Sequence, residues 1–159
     1  IPMVQQAIKC PLIAAGGIAT GRGMLATMVL GADGVQLGSR FVASVESSAH
    51  QLFKEKVLSV KEGDTTLTLK ELAPVRLIKN KFYQDLQELY QQNPTKEELQ
   101  KLLGRARAKR GMFEGDLVDG ELEIGQIAGL ISEVKPAAEI VSDLVREYNH
   151  AMGHLPEGL

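Results

Sequence analysis

Two short stretches hold the residues best suited to chemistry: LIAAGGIATGRG at 12 to 23 and GVQLGSR at 34 to 40. In each, an apolar run stops abruptly at glycine. Glycine is entropically costly and belongs where the backbone needs positive φ or where a group must approach without a Cβ in the way. Gly16 and Gly17 at the first run's end, and Gln36, Leu37, Gly38 and Ser39 at the second's, would present backbone N–H groups and a hydroxyl to an anion. A helix beginning after Ser39 would add unsatisfied N–H groups and a favourable dipole end, so the pattern fits a phosphate. Two other readings of these glycines stand beside it. One is tight turns with close helix–strand packing. The other is a dinucleotide site, since Gly21, Gly23 and Ala26 satisfy GxGxxA. That motif should open directly after the strand and be followed by an acid at the next strand's end. Here Gly16 and Gly17 intervene, and the next end carries Gln36 and Arg40.

The remaining reactive side chains are sparse. Cys10 stands alone, so no internal disulfide is available, which fits a reducing compartment and a cytoplasmic location. Placed before Pro11, it reads as a small buried hydrophobe. His50 reads as a capping residue at a helix start. With His150 and His154 it forms no ligand cluster, and no local pair makes an HExxH or CxxC motif, so no metal is expected.

The elements that must position these residues follow from periodicity. Residues 11 to 15 read as a buried parallel strand, 22 to 30 as a helix with Leu25, Met28 and Val29 on one face, and 34 to 38 as a second strand. Strand, glycine loop, helix, strand is a βαβ unit, which sets the two glycine-bearing ends side by side. Beyond Arg40 the pattern turns helical. In ESSAHQLFKEKVLSV, Ala49, Phe53, Val57 and Val60 form the dry face, with Lys54, Glu55 and Lys56 between them. TTLTL at 65 to 69 is strand-like, and helical spacing resumes through Leu77, Ile78, Phe82, Leu86, Leu89 and Tyr90. Thr95 with Glu98 is a capping box. Residues 110 to 129, rich in glycines and acids, read as an irregular connection folded over a site. A last helix starts near Pro136 with Ala138, Ile140, Val141, Leu144 and Val145 as its apolar face, and the chain frays into GHLPEGL.

A chain of 159 residues with 44% apolar content can bury a core. A net charge of -2 without a basic stripe argues against nucleic acid, and no apolar run approaches the roughly 18 to 20 residues that span a bilayer. The opening IPMVQQAIKC reads as a helix tail running into a strand, which is expected of a piece of a longer protein.

The stretch IKCPLIAAGGIATGRGMLATMVLGADGVQLGSRF, residues 8 to 41, resembles the seventh and eighth strand region of the flavin-dependent nitronate monooxygenase family, which includes flavin-dependent enoyl-acyl-carrier-protein reductases. The similarity continues through ESSAHQLFKEK, VRLIKNKFYQD and RAKRGMFEGDLVDGELEIGQIAGLI. SAHQLFKEK and the tail ending in GQIAG resemble the reductase branch. The resemblance implies an α/β fold, the C-terminal part of an FMN-binding (β/α)8 TIM barrel with additional C-terminal helices. Residues 1–44 would be the last two βα units and 45–159 a helical insertion and C-terminal helices packed on the barrel.

By that resemblance Gly16, Gly17, Gln36, Leu37, Gly38 and Ser39 would bind the FMN phosphate, with Gln126 nearest the flavin ring. Arg76 and Asn80 match a recurring pattern of structural character. The family's catalytic histidine belongs to an earlier barrel segment outside this chain. The implied activity is reduction of an enoyl thioester on acyl carrier protein with NADH or NADPH, as in fatty-acid synthesis. The alternatives are nitronate oxidation and a non-catalytic module holding only the phosphate half-site. The expected partners are the missing N-terminal barrel segment, a small-molecule or carrier-bound substrate, and a second copy in a homodimer.

Overall fold

The computed structural model describes residues 1–154, so the end of GHLPEGL, from 155 on, lies outside the described residues. The chain begins with α1 (Pro2–Ala7), followed by β1 (Ile13–Ala15), α2 (Gly21–Val29) and β2 (Gly34–Gln36). β1 and β2 pair in parallel, with Ala14 opposite Val35 and Ala15 opposite Gln36. α2 starts where Thr20 accepts the Gly23 N–H at 3.1 Å, which satisfies one of its orphan donors. Short α3 (Ser39–Val42) follows β2, and then α4 (Gln51–Leu58). The helix expected over 46 to 60 begins only at Gln51, because His50 caps it: its Nδ1 accepts the Leu52 N–H at 3.2 Å.

β3 (Thr65–Thr68) and β4 (Val75–Ile78) form an antiparallel hairpin. Leu77 and Ile78 therefore belong to a strand, not to the helix expected there, which is α5 (Lys81–Tyr90). Asn80 marks the boundary by capping α5 at Tyr83 N–H, 3.1 Å away. α6 (Lys96–Leu103) opens on the Thr95–Glu98 capping box, with both reciprocal bonds formed. α7 (Arg107–Met112), a 3-10 helix (Gln126–Leu130) and α8 (Ala137–Met152) complete the chain.

The segment expected as an irregular connection over 110 to 129 is irregular from 113 to 125, and part of it also enters the core. Leu122 and Ile124 are buried with Ala43, Phe53, Val57, Ile78, Ala128 and Ile131. The Ile78 N–H donates to Leu122 O at 2.9 Å and the Ile124 N–H to Arg76 O at 3.1 Å, so 122 to 124 adds a third strand-like run beside β4. Backbone that deep must be hydrogen-bonded, and the sheet supplies the partners.

Three smaller expectations are also corrected. Cys10 is exposed, in the turn between α1 and β1. Lys54 is buried and not on a wet face; its ammonium donates to Ser44 O at 2.7 Å and Val45 O at 3.3 Å. α8 lies along α2 through Ile140 and Leu144, which leaves Val141 and Val145, about 100° further round the helix, exposed, as Val29 is on α2.

Candidate functional site

The register of β1 and β2 sets the two glycine-bearing strand ends next to each other. Beyond Ala15 the chain takes two consecutive left-handed steps, Gly16 at φ +85° and Gly17 at φ +72°. A side chain is strained at both, and an added Cβ would meet nothing within 4 Å. The space above these residues is open. The same holds at Gly38, which precedes α3 with its carbonyl accepting the Phe41 N–H at 2.9 Å. Gln36 is exposed at the end of β2, and Leu37 packs its side chain against Ala14, Ile18 and Ala32, holding the loop to the strand pair.

Gly21 serves a different purpose. A Cβ at Gly21 would overlap the Leu144 carbonyl and the Tyr148 nitrogen of α8, and the Gly21 N–H donates to Glu147 Oε2 at 2.7 Å. That close helix approach, with no open space, ends the dinucleotide reading of GxGxxA.

Ser39 is the hinge of the arrangement. Its Oγ accepts the Gly125 N–H at 2.9 Å, tying the end of β2 to the 3-10 segment that carries Gln126. Two open cavities flank this contact. One, of about 450 Å3, joins Gly17 to Gln126, Ile127, Lys61 and Thr65. The other, of about 440 Å3, joins Gly38 and Ser39 to Gly125, Arg76 and Glu123. Gly17 and Gln126 thus share one cavity, Gly38 and Ser39 the other, and the hydroxyl of Ser39 retains its proton for a ligand.

Lys61 is a lining residue that periodicity did not single out, and Thr65 entered only as the start of a strand-like run. The signal was the KEGD turn: Gly63 at φ +84° with Asp64 Oδ2 accepting the Lys61 N–H at 2.8 Å. Arg76 faces the second cavity while one of its nitrogens donates to Thr65 O and Oγ1, both at 3.2 Å. Asn80 donates to Leu117 O at 3.1 Å and Gly120 O at 2.8 Å, fastening the 107 to 124 segment. Arg107 does the same from the other side, donating to Leu102 O, Leu103 O and Asp119 O while its guanidinium lies 4.5 Å from the Phe82 ring centroid.

Glu121 and Glu123 put two carboxyls on one side of the third run. Burial, reinforced by the charge of Glu123 and opposed by Arg107, pushes Glu121 up to about 7, and burial also raises Glu123. Among the described residues no helix is long and apolar enough to cross a membrane, and no group of three or more His, Cys, Asp or Glu side chains could hold a metal ion.

A parallel strand pair with small residues at its carboxyl ends and a helix crossing between them is one βαβ unit of an α/β fold. Residues 1–147 match the family model for nitronate monooxygenase, and the chain belongs to that family. It is 35% identical over 153 residues to a probable nitronate monooxygenase of Staphylococcus saprophyticus and 33% identical to one of Staphylococcus aureus. Each comparison takes in 96% of this chain and 42% of the relative. Among solved structures, FabK from Thermotoga maritima superposes with a TM-score of 0.86 at 40% identity, over 96% of this chain and 48% of that one. A nitroalkane oxidase from Streptomyces ansochromogenes superposes with a TM-score of 0.77 at 30% identity, over 98% and 44%. The fold class is therefore that of a (β/α)8 barrel, of which this chain carries part. The chain spans about two-fifths of the length of the curated relatives it matches.

Proposed function

We propose that this chain supplies the phosphate-binding end of an FMN-dependent oxidoreductase that reduces the enoyl thioester of acyl carrier protein with NADH or NADPH. The observation that carries the reading is the pair of adjacent strand ends whose glycines, Gly16, Gly17 and Gly38, are backed by open space. A phosphate suits these neighbouring strand ends, although Gly17 and the Gly38–Ser39 pair open on separate cavities, because exposed backbone there offers N–H donors without side-chain obstruction and Ser39 adds a hydroxyl. FMN, when bound, supplies the hydride acceptor and donor of the reaction. The chain's own part is to fix the cofactor's phosphate through Gly16, Gly17, Gln36, Leu37, Gly38 and Ser39. Gln126 would reach the ring from the cavity it shares with Gly17.

What supports the reductase is the likeness of SAHQLFKEK and the GQIAG tail to the reductase branch. The FabK structure is also nearer than the nitroalkane oxidase in both identity and superposition. Nitronate oxidation is the second reading, favoured by the family match over 1–147 and by the names of the relatives. The other partners are a nicotinamide co-substrate, the barrel segment that completes the sheet, and a second copy in a homodimer. The division near residue 44 into barrel units and added helices, and a cytoplasmic site of action, belong to the same proposal.

The deciding experiment loads the complete protein with FMN and compares NAD(P)H oxidation driven by crotonyl thioester with oxygen uptake driven by an alkyl nitronate. Faster turnover with the thioester is expected. Oxygen uptake with nitronate and none with thioester would overturn the reductase in favour of the second reading.

A further inference from the structure

The end of α8 and the turn that follows it bring together two histidines that the cofactor site does not use. His150 and His154 stand four residues apart, and their ring centroids are 4.2 Å from each other with the planes inclined at 45°. The helical course continues past Met152, since the Gly153 N–H donates to Asn149 O and the His154 N–H to Ala151 O, both at 3.2 Å. Both rings therefore lie on one face of the helix end, and both residues are exposed.

The protonation of one ring follows from its contact. His154 Nδ1 lies 2.7 Å from the His150 carbonyl oxygen. A carbonyl only accepts, so Nδ1 carries the hydrogen, and in the neutral ring Nε2 holds the free lone pair. That is how protein metal sites prepare a histidine: the far nitrogen donates to a carbonyl, which fixes tautomer and orientation and raises the basicity of the ligating nitrogen. The helix C-terminus adds a favourable field for a cation. The nearest charged side chains on the preceding turn are already engaged, Arg146 with Asp143 and Glu147 with the Gly21 N–H. His50, by contrast, spends its Nδ1 on the Leu52 N–H at the start of α4.

We propose that His150 and His154 form a two-histidine site for a divalent late transition-metal ion, with water completing the coordination. Two imidazole ligands in an open, wet position suit Cu2+ above Ni2+ and Zn2+, following the general affinity order for nitrogen sites.

The test titrates Cu2+ alone into the protein in a Cys10→Ser background, which removes the exposed thiol as a competing ligand. Affinity is read by calorimetry, and the number of ligating nitrogens by the hyperfine pattern in electron paramagnetic resonance. One ion bound through two imidazole nitrogens is expected, with at least a tenfold loss of affinity in His150→Ala and likewise in His154→Ala. Both positions are exposed at a helix end, and matching melting curves will show that each variant is folded. Equal affinity in the parent and both variants, or a single-nitrogen pattern in the parent, would overturn the proposal.

Discussion

At Gly16, Gly17 and Gly38 an added Cβ would meet nothing within 4 Å. At Gly111 it would lie 2.7 Å from the Glu121 carbonyl oxygen, and at Gly120 it would overlap the Asp116 carbonyl and the backbone of Gly111. The two groups belong to regions that meet at the Ser39–Gly125 hydrogen bond. In the strand-end region glycine keeps space open; in the 107 to 124 region it lets backbone pack on backbone. Residue type alone does not separate these roles. What does is whether other backbone packs against the glycine, as it does at Gly111 and Gly120, and that difference can be broken experimentally from either side.

The largest effect is expected at Gly120. Valine there collides with backbone on two sides, and backbone cannot step aside as a flexible side chain would. Overpacking of this kind should cost about 3 kcal/mol or more, enough to lower Tm by roughly 10 °C in a chain of this size. Thermal melting of Gly120→Val measures it. A melting point within a degree of the parent would show that the 107 to 124 segment yields easily and that the contrast between the regions is false.

On the cofactor side the fair substitution is one that respects the backbone. Gly17 at φ +72° tolerates asparagine better than any branched residue, and Gly38 at φ -106° accepts alanine without strain. Gly17→Asn and Gly38→Ala each place atoms where the proposed phosphate would sit. A hundredfold loss of FMN affinity, about 2.7 kcal/mol, is expected for Gly17→Asn, with apo-protein Tm nearly unchanged. Flavin fluorescence titration beside apo melting separates the outcomes. Equal losses in both would mean that Gly17 serves the fold, as Gly120 does.

These two regions also differ in how far the sequence discloses them. Paired glycines after an apolar run are a local signal, because positive φ and strand termination are written in the residues themselves, and the adjacency of the strand ends follows from one short helix between them. Thr95 with Glu98 is legible for the same reason. The interior of 107 to 124 is not: its backbone is satisfied by Asn80, some forty residues back, and by Arg107 reaching Asp119 O, and neither bond leaves a mark on local spacing. Leu77 and Ile78 continue the apolar spacing of the helix after them, so their strand pairing with 65 to 68 had no periodic signature. Lys54 is buried by carbonyls nine and ten residues upstream, where charge alone predicts exposure.

A pH experiment sharpens the contrast, since the packed region holds a buried carboxyl, that of Glu121. Glu121 stands at about 7 against an ordinary 4.5, so the folded protein holds its proton more tightly than the unfolded chain does. Stability from this group is full below pH 4.5, falls as pH rises through about 7, and is flat above that. Glu121→Gln removes the titration while keeping the volume. It should gain about 1 to 2 kcal/mol relative to the parent at pH 8 and nothing at pH 4, part of the full interval being forfeited to burying an amide. Denaturant melts at the two pH values measure the difference. Identical gains at both would show that the carboxyl is not held protonated in the fold.

The smallest effect is expected at the joint itself. Ser39 Oγ accepts the Gly125 N–H at 2.9 Å, so Ser39→Ala leaves a half-buried donor without its partner and should lower stability by about 1 kcal/mol, or roughly 2 to 4 °C in Tm. Ser39→Thr keeps the oxygen and should restore most of it. The two regions act as one unit only if this bond transmits the position of Gly125 to the strand end. The double variant Ser39→Ala with Gly17→Asn decides that, by comparing its loss of FMN affinity with the sum of the single losses. A sum within about 0.5 kcal/mol means that Gly17 and the 3-10 segment contribute to the cofactor independently. A shortfall larger than that means Gly17 functions through a loop that Ser39 holds in place, and the open region then borrows its geometry from the packed one.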